Sequence, residues 1–153
     1  MNERLYLEDM APGLTMRSGE LTVTADDIVA FASQYDPQPF HLGDAGAVGT
    51  LFGRLAASGW HTAAMTMRLQ VDGGLPLAGG IIGSRVDELH WPRPVRPGDT
   101  LRVETEVLES RRSTSRPEQG WAKLRSTTIN QHGESVMVLV VNVLMQCRDP
   151  AST

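Results

Sequence analysis

The chain reads as an α+β domain in which an antiparallel sheet wraps around one long buried helix. Three observations predict this. Helical patterning is confined to the first half of the chain, four segments with strand periodicity follow Gly80, and one uncharged stretch of helical length lies between them. A length of 153 residues suits a single domain, residues 1–153, whose core removes roughly two thirds of the unfolded surface from water.

Thr24 starts the first helix. It is followed three residues later by Asp27, and then Ile28, Val29, Phe31 and Ala32 fall at helical spacing, so Thr24 is an N-cap with an acidic first turn. The helix covers about Ala25 to Gln34. It must stop near Tyr35 and Asp36, because Pro37 and Pro39 remove two backbone donors and push the residues before them out of helical geometry. Asp36 to His41 is therefore a stiff, irregular loop.

From Leu55 to Met67 no Asp, Glu, Lys or Arg occurs in 13 residues, and Ala56, Ala57, Ser58, Gly59, Ala63 and Ala64 are all small. A helix that is apolar nearly all round is a buried one. Arg68 and Asp72 come only at its far end and Gly73-Gly74 closes it, giving an element of about 16 residues, roughly 25 Å long.

After Gly80 the period changes to two. Leu101, Val103, Thr105 and Val107 alternate with Arg102, Glu104 and Glu106, as a strand with one solvated face requires. Strands are expected at about Gly80–His90, Thr100–Ser110, Trp121–Gln131 and Ser135–Gln146, with Ser110–Gln119 as a linker-like loop and His132-Gly133 as a hairpin turn. The last strand, from Val136 to Met145, is apolar on both faces, which places it in the middle of the sheet or at a subunit contact.

Composition excludes several functions. With 41% hydrophobic and 21% charged residues the chain is not disordered, collagen-like or coiled coil. Fourteen Lys+Arg against 18 Asp+Glu give a net charge of -4, the wrong sign for a protein whose main partner is a nucleic acid. Cys147 alone makes neither an internal disulfide nor a zinc cluster, and Met1 to Met10 holds three acidic residues and no apolar signal core. The uncharged run Ser135–Cys147 has 13 residues, whereas a membrane span needs about 20. A cytoplasmic protein without a membrane partner is expected.

Asp36-Pro37-Gln38-Pro39-Phe40-His41 is the most informative hexapeptide. It holds a carboxylate and an imidazole five residues apart on a backbone braced by two prolines. General acid–base chemistry needs two such groups in fixed geometry, and burial of the aspartate would make it more basic while the histidine exchanges protons near neutral pH. The spacing alone equally fits an Asp36 that caps a turn and a His41 that is an ordinary loop residue. Gly59, in Ala57-Ser58-Gly59-Trp60-His61, is a second signal, since glycine costs about 1 kcal/mol relative to alanine in a helix. Either a ligand oxygen approaches its N–H at the positive end of the helix dipole, or the helix passes tightly under the sheet there.

These two pieces, followed by Trp91-Pro92-Arg93-Pro94-Val95-Arg96-Pro97-Gly98-Asp99-Thr100-Leu101, resemble the MaoC-like acyl dehydratases, the family that includes (R)-specific enoyl-CoA hydratases. Asp36 to His41 matches the family's Asp-x-Asn-Pro-x-His motif, Gly59 lies 18 residues after His41 as its thioester-binding glycine does, and Arg93 to Asp99 matches its Pro-Val-x-Pro-Gly-Asp turn. The resemblance covers about Thr15 to Gln146. It implies a hot-dog fold, a curved antiparallel sheet around one helix, assembled as a homodimer with higher homo-oligomers left open. It also implies metal-free hydration of a 2-enoyl thioester of coenzyme A, or the reverse dehydration, in fatty acid metabolism, with the acyl-CoA as substrate and no resident cofactor. Asp36 would act mainly as base toward a water that His41 orients, and the Gly59 amide would stabilise the enolate-like oxygen. Ser58, Trp60 and Thr62 would contact substrate.

The match has departures. Gln38 stands where the family usually has Asn, Ser58 where hydratases often have His, and Met67 near the place of a site serine. Thr62 or Thr66 offers a hydroxyl instead, unless each bonds back to its own helix. Trp60 and His61 line an acyl tunnel or simply pack, and His90 and Trp91 are expected in core or interface. Arg111, Arg112 and Arg116 either meet coenzyme A phosphates or are solvated. Cys147 is expected to pack rather than react. Two other functions fit the fold: a hot-dog thioesterase, and a non-catalytic module that binds acyl thioesters. Gly59→Ala is expected to lower turnover while stability rises or holds.

Overall fold

The computed structural model describes residues 3–149, so the ends of the expected 1–153 domain lie outside the described residues. Three helices and two single turns lie before Ile82 and four long strands after it, with two short strands near the start. The strands are β1 (Thr15–Arg17), β2 (Leu21–Thr22), β3 (Ile82–His90), β4 (Thr100–Arg112), β5 (Gln119–Ile129) and β6 (Ser135–Gln146). They form one antiparallel sheet in the order β1-β4-β5-β6-β3, with β2 also paired to β4. The helices are α1 (Ala25–Tyr35), α2 (Asp44–Ala47) and α3 (Gly59–Leu69), which runs on into a π-helical turn at Gln70–Gly74. The sheet packed against α3 is the hot-dog arrangement. No helix among the described residues is long and apolar enough to cross a membrane.

Local chemistry explains most boundaries. Thr24 caps α1, its hydroxyl accepting the Asp27 N–H at 3.1 Å. The alternation in β4 is realised, with Leu101, Val103, Thr105 and Val107 buried. The Asn130 carbonyl accepts the Gly133 N–H in the expected β5–β6 turn, where Gly133 has φ +75°. β6 lies between β5 and β3, inside the sheet as expected, with Val136, Met137, Val140, Val143 and Met145 buried and Leu144 exposed. The linker-like Ser110–Gln119 is the end of β4, a hairpin tip and the start of β5.

Two expectations are corrected, and two short strands are added. α3 starts at Gly59, and Leu55 to Ser58 run irregularly because their backbone bonds elsewhere: the Ala56 N–H donates to Phe40 O and the Ala57 N–H to Val95 O. The uncharged helix is also not buried all round. One face, with Trp60 60% and Met67 44% exposed, is left open, because the sheet of a single chain covers a helix from one side. The short strands β1 and β2 were invisible in the pattern because they are three and two residues long.

Two apolar clusters make up the core. One joins α1 and α3 to the sheet through Ile28, Met65, Leu69, Leu101, Val103 and Val136; the other packs Leu7, Met10, Leu77, Leu124 and Val143 at the far end. Each such side chain contributes about 1.5–3 kcal/mol by leaving water. Under α3 the layer is polar. Thr66 bonds Thr128 at 2.6 Å, and Gln70 donates to Ser126 at 2.8 Å. These hydroxyls are buried and satisfied, so they fix the helix on the sheet at little cost.

Candidate active site

α1 is capped by Asp36, whose N–H donates to Ala32 O, and the proline-rich loop then makes a single 3-10 turn at Pro39–His41. Gly46 of α2 backs onto the Pro39 carbonyl with no room for a side chain, which holds this turn from outside. His41 is buried, edge-on to Phe40 and beside Phe52, with Nδ1 2.6 Å from the carbonyl oxygen of Ala56. A carbonyl only accepts, so Nδ1 carries the proton and Nε2 faces the site. Nε2 lies 3.4 Å from Asp36 Oδ2, longer than a good N–H···O bond at about 2.9 Å. The structure therefore brings the predicted pair together without closing it into a direct bond.

Asp36 keeps 18% of its side chain exposed. Its Oδ1 accepts from Gln38 Nε2 at 2.6 Å and its Oδ2 from the Ser58 hydroxyl at 2.7 Å. Burial is the largest single influence on its ionisation and opposes it, but the bonds from Gln38 and Ser58, with His41 nearby, together outweigh burial and hold the carboxyl below the usual aspartate range. This corrects the expectation of a more basic aspartate. Partial burial brought two donors with it, so the carboxylate is ionised at neutral pH.

α3 begins at the same place. Ser58 is its N-cap, accepting the Trp60 N–H at 3.3 Å while donating to Asp36. The N–H of Gly59, first in the helix, has no acceptor among the described residues. Beside it is a cavity of about 160 Å³ lined by Phe52, Gly59, Thr62, Trp91 and Val95, among others. Trp91 lies over Gly59: its indole Nε1 donates to Gly59 O at 2.9 Å, and a Cβ on Gly59 would stand 2.7 Å from Trp91 Cε2. The expectation that Gly59→Ala raises or holds stability meets an obstacle here, because the added methyl collides with the indole.

Of the other expected residues, Thr62 lines the cavity and its hydroxyl is 3.5 Å from Ser58 O. Thr66 bonds back to Thr62 O and across to Thr128, away from the cavity. Trp60 turns outward and meets Trp91 edge-on, so it is not part of the cavity wall. His61 is buried and stacked on Phe31, its Nδ1 unpaired; burial lowers its pKa, and Asp27 only partly offsets this. Arg112 is taken up by Pro117 O, Asp149 O and Glu8, while Arg111 lies over the Trp121 ring. Burial raises the Cys147 thiol pKa, as fits a packing residue.

Sequence reasoning missed Trp91 as a site residue, and it missed Phe52 and the Ala56 carbonyl. Trp91 could have been found, since it opens the eleven residues that carry the third matching motif. A backbone carbonyl and an isolated phenylalanine leave no such signal.

The chain is similar to several known proteins. A MaoC-like dehydratase from Rhodospirillum rubrum is 52% identical, with a TM-score of 0.92 over 95% of this chain and 99% of that one. An (R)-hydratase from Pseudomonas aeruginosa is 25% identical, with a TM-score of 0.73 over 95% of this chain and 88% of that one. A 3-hydroxybutyryl-CoA dehydratase from Methylorubrum extorquens is 35% identical over 106 residues, 69% of this chain and 65% of its own length. The family model described as MaoC like domain matches residues 10–129, a span that contains the Asp36/His41 loop, the Gly59 helix and the Trp91 cover, and the chain belongs to that family.

Proposed function

We propose that the protein is a hydratase or dehydratase of coenzyme A thioesters, interconverting a 2-enoyl and a 3-hydroxyacyl group. The observation that carries this reading is the open Asp36/His41 pair, with Oδ2 and Nε2 3.4 Å apart beside an unpaired Gly59 N–H. Water held between the two groups gives its proton to Asp36, with His41 orienting it, while its oxygen bonds Cβ of the enoyl group. The electron pair of the double bond moves toward the thioester oxygen, where the Gly59 N–H and the helix dipole meet the developing charge. The proton is then returned to Cα, so water is added across one double bond. The step is redox-neutral and asks for no metal. Relatives named as 3-hydroxybutyryl-CoA dehydratase and (R)-hydratase support the same reaction class.

A second copy of the chain completes the proposal. β3 is an edge strand, paired among the described residues with β6 and exposed along nearly all its length, and Ile82 and Val86 within it and Trp91 just past its end are apolar and exposed. Among the described residues that edge has no second partner, and such an edge is a template for pairing. The case for a homodimer thus rests on β3 rather than on the apolar faces of β6. Light scattering that shows a stable monomer of 16.7 kDa at micromolar concentration overturns it.

The deciding experiment follows loss of the conjugated thioester absorbance with crotonyl-CoA and other 2-enoyl-CoAs. Asp36→Asn and His41→Gln should each lower kcat by about 10²-fold or more. Because both act on one water, the double variant should lose far less than the product of the two. Activity that survives either substitution within a few-fold removes the Asp36/His41 mechanism, and a wild type that binds acyl-CoA without hydrating it favours the non-catalytic acyl-binding module. Thiol release from saturated acyl-CoA favours the thioesterase.

A further inference from the structure

Arg96 is half-buried in the turn between β3 and β4, and its guanidinium makes no bond to a carboxylate among the described residues. It is spent on main-chain carbonyls instead. Nη1 donates to Arg54 O at 2.7 Å and to Leu55 O at 3.3 Å, and Nη2 donates to Phe52 O at 2.8 Å. Its own backbone is anchored on the sheet: the Arg96 N–H donates to Asp99 Oδ2 at 2.9 Å, and Gln131 holds Asp99 Oδ1 at 2.9 Å. A fixed turn thus clasps a segment that has neither helix nor strand to define it.

That segment serves both members of the catalytic pair. One residue beyond Leu55, the Ala56 carbonyl takes the Nδ1 proton of His41; three residues beyond, Ser58 donates to Asp36. Phe52, one of the clasped residues, packs on the His41 ring at 5.5 Å. Lys has the donors but carries them on one nitrogen, so it cannot reproduce the planar fork that reaches Phe52 O and Arg54 O from two nitrogens.

We infer that Arg96 is a positioning residue which, through the Phe52–Leu55 carbonyls, places the Ala56 oxygen that sets the tautomer and orientation of His41. The inference rests on the hydratase reading for its kinetic consequence, but not for its structural one. Arg96→Gln should lower kcat by about 10- to 100-fold, the scale of a small misplacement of a reacting group, with KM within a few-fold. Arg96→Lys should recover part of the loss, and added guanidinium should restore Arg96→Gln where the same ionic strength of sodium chloride does not.

The second arm is nitrogen NMR of protein labelled at histidine. The wild type should show His41 protonated at Nδ1 when neutral, and Arg96→Gln should show a mixture of tautomers. If Arg96→Gln does not fold, Arg96→Lys is read the same way. An unchanged His41 tautomer, or a change in KM alone, overturns the positioning role. A wild type that hydrates no enoyl-CoA overturns the hydratase reading and leaves the NMR arm to decide this one.

Discussion

The Ser58 hydroxyl donates to Oδ2 of Asp36 at 2.7 Å across 22 residues of sequence, while its oxygen accepts the Trp60 N–H as the cap of α3. One side chain thereby joins the Asp36–His41 loop to the helix start. It also helps keep Asp36 ionised.

Ser58→Ala should raise the pKa of Asp36, because one of the two donors that outweigh burial is gone. A group with a lowered folded pKa contributes stability above its unfolded value, and that stability is lost as pH falls through the folded value. The variant should therefore lose stability at a higher pH than the wild type, besides about 1 kcal/mol from the missing cap. Carboxyl NMR titration of Asp36 reads the shift directly; a midpoint that stays put would show that Ser58 does not govern the charge.

Gly59→Ala should lower turnover and lower the melting temperature. The helix gains alanine, but the methyl must push aside the Trp91 indole 2.7 Å away and break its bond to Gly59 O. A tryptophan emission change should accompany the loss. A melting temperature above wild type would mean that Trp91 swings away freely, and would restore the sequence-based expectation.

His61→Phe should stabilise the protein. It keeps the ring stacked on Phe31 and removes a buried nitrogen that lacks a partner, an omission that costs about 1–3 kcal/mol. Because burial lowers the His61 pKa, the wild type loses stability as pH falls from the ordinary histidine value of 6.5 through the folded value. The variant should flatten that part of the denaturation profile. A less stable variant would mean that the imidazole has a role the stack alone does not fill.

Glu8→Gln should weaken the tie between the chain ends at neutral pH and matter less in acid. The N–H groups of Arg148 and Asp149, helped by Arg112, lower the pKa of Glu8 from 4.5 to about 2. Its contribution is present above pH 4.5 and disappears as pH approaches 2. The carboxylate is partly exposed, so solvent screening reduces the effect, and a melting-temperature drop of about 2–4 °C per kcal/mol lost is the scale to expect. Equal differences at pH 7 and pH 3 would contradict this.

The sequence by itself determined what local chemistry controls. Thr24 announced α1, Pro37 and Pro39 its end, the alternation from Leu101 to Val107 the face of β4, and His132-Gly133 the last turn. Each depends on residues close together in the chain. The motifs that resemble the MaoC-like family made Asp36, His41 and Gly59 candidate residues, and these are also local, because a short loop and a helix start carry all three. Tertiary structure alone decided the rest. Whether Asp36 became more or less basic depended on donors from Gln38 and Ser58 meeting it in space, and whether Gly59 tolerates a methyl depended on Trp91, 32 residues away. The uncharged α3 looked buried on every side because composition records that a face is apolar, not whether one sheet can reach around to cover it.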